Sequence, residues 1–183
     1  MTTTLTSRPG FAAGSWKLDL IHSELSFTVR HLGVSKVRGT FESFDLTVVT
    51  AEDGSVSVEA TVDVASVSTK QEQRDNHLRS GDFFLAEEFP QASFVSTGVE
   101  VDGDRFTLVG DLTLRGVTRP VSFDGEFYGV TTGPAGRPVA GAGATATINR
   151  LDFGVNFNAP LEAGGFLLGD NVQLSVEVEL VLE

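Results

Sequence analysis

The chain has 183 residues, a formal net charge of -12, 14 Phe against one Trp and one Tyr, and no cysteine. That length suits one all-β domain with a real core, and the missing thiols exclude disulfides, thiolate metal sites and cysteine nucleophiles. An acidic field opposes phosphodiester backbones and anionic surfaces, so no nucleic-acid partner is expected, and the charge reads first as a device for solubility in a monomer or homodimer.

Residues 1–14 are Thr-rich and broken by Pro9 and Gly10, and read as a flexible tail ahead of a single domain at 15–183. The tail has neither a basic n-region nor an apolar run of roughly 7–15 residues, so no secretory signal is read. With Met1 as the native start, the cytoplasm is the expected compartment. No stretch approaches the ~18 apolar residues of a membrane span, so stable membrane insertion is not expected.

From Trp16 onward the side chains alternate. Leu25, Phe27 and Val29 interleave with Ser26, Thr28 and Arg30, and Val56, Val58, Ala60, Val62 and Val64 with Ser57, Glu59, Thr61 and Asp63. Phe106, Leu108, Leu112 and Leu114 share a face, and Val172, Leu174, Val176, Val178, Leu180 and Leu182 give the cleanest stripe. Period-2 patterns of this kind mark strands with one face buried and one wet. Strands are expected at 22–31, 38–50, 55–65, 91–101, 105–114, 117–128, 139–150 and 171–182. Asp53-Gly54, Asp102-Gly103, Arg115-Gly116 and the 133–138 stretch supply turns between them. Between Phe41 and Phe44 the alternation slips by one, which predicts a bulge. Eight antiparallel strands close into a barrel just wide enough for side chains or one slender ligand.

One segment departs from this pattern. Thr69 as N-cap and Glu72 three residues later form a capping box, Asp75 and Arg79 stand at i,i+4, and Gly81 sits where a helix end favours a left-handed residue. One short helix at about 70–80 is expected, placed to plug or lid a barrel end.

Two features bear on a cavity. The 139–150 strand, VAGAGATATINR, is small on both faces. Interiors pack densely, so either large Phe rings fill against it or it leaves room for a ligand. The 153–169 connection is long and apolar, with Phe153, Phe157, Phe166, Leu167 and Leu168 poorly suited to water. It is expected to fold over the barrel mouth, with Gly164-Gly165 as a hinge.

Catalytic signals are sparse. There is no glycine-rich phosphate loop and no nucleophile elbow, and no cofactor is expected. His22, His31 and His77 are the candidates for a metal, since three His can hold one. His22 and His31 stand near the two ends of one expected strand, roughly 30 Å apart at ~3.3 Å per residue, so a shared site needs that strand to bend sharply. Arg74 and His77 lie on one helical face, where they serve either as donors to a ligand head group or as ties between helix and barrel.

Several ordered motifs carry a resemblance. They are W-x-L-D-x-x-H-S at 16–23, F-T-V-R-H-L-G-V-S-K-V-R-G-T-F at 27–41, S-V-S-T at 66–69 and R-D-N-H-L-R-S-G-D-F-F at 74–84. FP-x-A-SF-x-ST at 89–97, L-T-L-R-G-V-T-R-P-V at 112–121 and I-N-R-L-D-F-G at 148–154 complete the set. From Trp16 to its end the chain resembles the YceI-like family of lipocalin-type lipid-binding proteins. The resemblance implies an all-β, eight-stranded lipocalin-like barrel around an elongated pocket for a polyisoprenoid or an isoprenoid quinone, with no catalytic residues. Many relatives carry signal peptides and work in the periplasm, and no such signal is read here.

Binding, storage or transport of a long apolar molecule is therefore the favoured function. A His-dependent metalloenzyme and a ligand-free structural or stress-associated barrel are the alternatives. Inward or mouth positions expected to line the pocket are Phe27, Phe41, Phe94, Phe106, Leu112, Phe123, Ile148, Phe153 and Phe166. His22, Arg74 and His77 are the polar candidates. Strand register decides which face looks inward.

Overall fold

The computed structural model describes Gly10 and residues 12–183, so most of the expected 1–14 tail lies outside the described residues. The alternating segments form strands β1 (Gly14–Leu18), β2 (Glu24–His31), β3 (Ser35–Phe41), β4 (Phe44–Thr50), β5 (Val56–Asp63) and β6 (Val67–Ser68). After a helix, α1 (Glu72–Arg79), come β7 (Gln91–Asp102), β8 (Arg105–Leu114), β9 (Val117–Thr132), β10 (Pro138–Asn149) and β11 (Leu168–Leu182). All pairings are antiparallel.

The short strands join end to end. β1 and β2 follow one another along β11, pairing with Leu180–Leu182 and with Leu168–Glu177 respectively, while β4 pairs with β1 and β3 with β2. Eleven segments thus make eight staves of a closed antiparallel barrel, with β1–β11 completing the ring. Closure removes the unpaired edges that an open sheet would expose.

Three neighbouring staves kink at one level. The break between β3 and β4 falls at Glu42-Ser43, so that Phe41 and Phe44 both reach the interior, where the sequence pattern slips by one. The first expected strand, 22–31, is corrected: His22 lies in a 3-10 turn, Leu20–His22, between β1 and β2. A matching turn, Val64–Ser66, separates β5 from β6. Asp19 accepts from Ile21 N–H and Asp63 from Ala65 N–H, and each carboxylate satisfies a backbone donor that the turn would otherwise leave free.

The helix exists, but its capping differs from the capping box. Gln71 caps it by accepting from Arg74 N–H. Thr69 instead donates its N–H (2.8 Å) and hydroxyl (2.5 Å) to Asp75 Oδ1. Asp75 is buried in this role and so does not meet Arg79, whose guanidinium bonds Asn76 Oδ1 and the carbonyls of Ala65 and Val67. The helix closes on Ser80 in an extended conformation, and Gly81 is not left-handed.

Strand register puts α1, the β2–β3 hairpin, the β8–β9 turn and a 3-10 turn at Arg150–Phe153 at one end of the barrel. The β4–β5, β7–β8 and β9–β10 hairpins form the other. A core cluster around Phe83, Phe94, Phe123 and Phe153 lies toward the helix end, and a second around Trp16, Ala140 and Leu180 toward the other.

Candidate ligand-binding cavity

Between these clusters runs a cavity of about 570 Å³ that extends from Leu78 and Phe83 beside α1 to Ala12 and Val130 at the opposite end. Ligand pockets commonly span roughly 300–1,000 Å³. Its wall is almost wholly apolar, because the inward side chains of the strands are those that the alternation assigns to the buried face: Phe27 and Val29 from β2, Val58 and Ala60 from β5, Leu174 and Val176 from β11.

The small-residue strand is what leaves the space. Ala140, Ala142 and Ala144 of β10 stand opposite Leu180, Val178 and Val176 of β11, on the inward face. Each contributes one methyl where neighbouring staves project a branched chain or a ring. On the outside, Tyr128 is the extra residue of a β-bulge opposite Gly141 and Ala142, and its hydroxyl donates to Glu177 (2.9 Å) across Gly143. Three phenylalanine rings lie against neighbouring strands. The rings of Phe27, Phe94 and Phe106 cover Gly39, Gly110 and Gly125, glycines of adjacent strands whose missing Cβ admits them.

Of the residues expected to line a pocket, Phe27, Phe41, Phe94, Phe106, Leu112, Phe123 and Ile148 do so, and Arg74 and His77 join them at the helix end. Three lie elsewhere. Phe153, only 2% exposed, packs in the core cluster behind the wall, Phe166 is 63% exposed on the outer surface, and His22 is exposed on the flank. His31, Ala142, Ala144, Phe44 and Phe157 also line the cavity. His31 shares the parity of Phe27 and Val29, so alternation alone would have found it. Ala142 and Ala144 line by what they leave empty, which a search for bulky apolar residues passes over.

Polar groups gather at the ends. Arg74 donates from Nε to Thr69 Oγ1 (2.7 Å) and from Nη2 to Thr69 O (3.0 Å), which fixes the guanidinium at the cavity margin. His77 bonds Asp82 Oδ2 through Nε2 (2.7 Å), and its ring packs edge-on to Phe83 and Phe157. Its side chain is 43% exposed while lining the cavity, so the cavity reaches the surface there. At the far end stand Asp104 and Arg105.

The 153–169 connection is fastened, not loose. Arg150, 5% exposed, donates to the carbonyls of Val155 (2.7 Å), Phe157 (2.8 Å) and Gly169 (2.9 Å). Burial pushes its guanidinium pKa down, and Asp170 at 3.6 Å acts against that. Asn158 accepts from Leu168 N–H and donates to Leu168 O. Phe157, Leu167 and Leu168 reach the cavity, whereas 160–166 forms a small outward hairpin with Gly164 and Gly165 left-handed at its tip.

The histidines do not converge. His31 and His77 belong to the cavity wall, and His22 sits on the outer flank with Asp19 and Glu179. Among the described residues this last trio is the one group with metal-ligand spacing, its ligand atoms lying within 4.8 Å of one another. His22 Nδ1 already donates to Asp19 Oδ2 (3.0 Å), and the trio closes the kink between β1 and β2. The Asp19 hydrogen bond, with the charges of Asp19 and Glu179, raises the His22 pKa above its ordinary value, and the same bond lowers that of Asp19.

Solved structures share this architecture. BcnA of Burkholderia cenocepacia superposes with a TM-score of 0.76 at 22% identity, covering 88% of this chain and 98% of that one. A Campylobacter jejuni YceI protein does so at 0.73 and 28% identity, over 84% and 90% of the two chains. A polyisoprenoid binding domain from Saccharophagus degradans gives 0.63 at 16% identity, over 94% and 100%. In sequence, the UPF0312 protein of Staphylococcus aureus strain MSSA476 is 42% identical over 168 residues, spanning 90% of this chain and 96% of its own. The YceI-like domain family matches residues 16–180, from the tryptophan of β1 almost to the end of β11, and the chain belongs to that family.

Proposed function

We propose that the barrel binds one long apolar molecule, a polyisoprenoid or an isoprenoid quinone, threaded along its axis. The observation that carries this reading is a continuous apolar cavity kept open by Ala142 and Ala144. A barrel whose side chains filled its interior would leave no such space. The Saccharophagus domain, described as polyisoprenoid binding, supports the same ligand class.

The wall favours holding over transforming. Hydrophobic burial contributes ~0.8 kcal/mol per methylene along the whole length, while hydrogen-bonding groups stand only at the ends. We place the ligand's polar end beside α1. Arg74, with two nitrogens committed to Thr69, can donate from its remaining face. His77, held by Asp82 through Nε2, keeps Nδ1 as a second hydrogen-bonding atom. A hydroxyl or carbonyl head group suits that pair.

Organic extraction of the purified protein followed by mass spectrometry is the test, run beside Ala144→Phe. The expected result is an isoprenoid lipid in the wild type and its loss in the variant, whose added ring fills the cavity without unfolding the barrel. No extracted lipid, together with failure to bind added quinone or polyprenol, would falsify the reading.

A further inference from the structure

The β2–β3 hairpin presents an unusual tip. Its turn, Leu32-Gly33, has both residues left-handed (φ 54° and 71°), a conformation that favours Asn or Asp before Gly. The chain instead places Leu32 there, followed by Val34 at 82% exposure. Leu32 N–H donates to Leu167 O (2.9 Å), so the tip stands beside the 160–166 hairpin with its exposed Phe166. The adjoining residues His31, Leu167 and Leu168 line the cavity. Exposed apolar side chains thus cluster at a cavity end.

Cations frame them. Arg30 and Lys36 are directly opposed across β2 and β3, a like-charge pairing that costs stability. Arg38 continues the outer face, and Lys70 stands across a surface groove lined also by Lys36 and Arg38, in which Glu24 is the single acid. Among the described residues none of these four cations has an ion-pair partner. Acids share this end: Glu72 lies two residues from Lys70, Asp82 follows α1, Asp152 sits in the 3-10 turn, Glu162 is at the 160–166 tip and Asp170 faces Arg150. Four cations without ion-pair partners thus adjoin the apolar tip in a chain of net charge -12.

We propose that this end docks reversibly on an anionic phospholipid bilayer. Leu32, Val34 and Phe166 enter the interface, and Arg30, Lys36, Arg38 and Lys70 meet the headgroup phosphates. Apolar insertion joined to cationic attraction is how peripheral proteins hold a membrane. The Debye length is ~8 Å at physiological ionic strength, so the local patch governs the contact and the acidic remainder turns the rest of the barrel outward. A second copy is the poorer occupant, because a two-fold interface sets this patch against itself and opposes like charges. Docking seats the His31–Leu168 end of the cavity on the lipid phase. It gives the proposed apolar ligand a route that avoids water, and to that extent rests on the binding reading, though the surface itself is independent of what the cavity holds.

The test is co-sedimentation of the full chain with phosphatidylcholine vesicles and with vesicles containing phosphatidylglycerol. Binding is expected on the anionic vesicles and should weaken as salt rises. Lys36→Glu/Arg38→Glu should lower it by about tenfold or more, and Val34→Ser/Phe166→Ala should also lower it. Both variants should still bind an apolar fluorescent probe in vesicle-free solution, which shows an intact barrel and reports on the cavity separately. Wild-type protein that ignores anionic vesicles, or variants that bind them equally well, overturns the docking surface. So does a solution dimer that Val34→Ser/Phe166→Ala dissociates, which would assign the patch to a second copy.

Discussion

His22 holds a corner of the barrel wall. It closes the kink between β1 and β2, where its ring nitrogen meets Asp19 at 3.0 Å and lies 3.7 Å from Glu179. Hydrogen bonding to Asp19, then the charges of Asp19 and Glu179, lift its folded pKa above the ordinary 6.5. The stabilisation from its protonated form is therefore complete below that value and is lost as pH rises through the higher folded midpoint. Asp19 runs the other way. Its lowered pKa contributes stability above the ordinary 3.8, which is lost as pH falls through the folded value. The pair is whole between those limits. A ¹H–¹⁵N titration should give a His22 midpoint above 6.5, and Asp19→Asn should bring it down while leaving the smaller Glu179 contribution. A midpoint indifferent to Asp19→Asn would remove this account.

At the level of elements, Arg150 decides whether the 153–169 connection behaves as lid or wall. Its three carbonyl partners, Val155, Phe157 and Gly169, span both ends of the segment, so the guanidinium fork holds Phe157 and Leu168 against the cavity. Arg150→Met strips the donors and strands buried carbonyls, which should cost about 3 kcal/mol. Thermal denaturation should show a Tm lower by roughly 6–12 °C for a chain of this size. Arg150→Lys should recover only part, since an ammonium lacks the planar fork. A Tm unchanged in Arg150→Met would mean the segment is held by packing alone. The sequence made the strands legible because each side chain reports its face through parity, and Phe41–Phe44 even betrayed the kink. It made the fastening illegible, since a charged residue at a strand end looks the same whether it meets water or buried carbonyls. Thr69 and Asp75 failed for a related reason. Their spacing suits a capping box and a surface ion pair, yet burial of Asp75 under the Thr69 amide overrode both. Phe153 and Phe166 were both apolar and both in the right segment, but only tertiary placement sends one behind the wall and the other outside.

The whole molecule couples closure to capacity. Eight staves fix the girth, and three of them kink at one level, two of the kinks capped by Asp19 and Asp63. The lumen that results is long, narrow and apolar, so affinity for an unbranched probe should grow with its length until the cavity is full. At ~0.8 kcal/mol per methylene, each added carbon should tighten Kd about fourfold. Beyond the filled length further carbons reach water and the gain should stop. A series of n-alkanols measured by thermal shift tests both parts, because a ligand bound only to the folded state raises stability by ~2.7 kcal/mol at 100 times its Kd. For a chain of this size that is a Tm rise of roughly 5–11 °C. Arg74→Met should alter the preference between alcohol and alkane of equal length while leaving the slope with carbon number intact, since the wall is untouched. Ala144→Phe should bring the plateau to shorter chains. Affinity that stays flat along the series, or a slope abolished by Arg74→Met, would show that the head group and not the lumen supplies the binding energy.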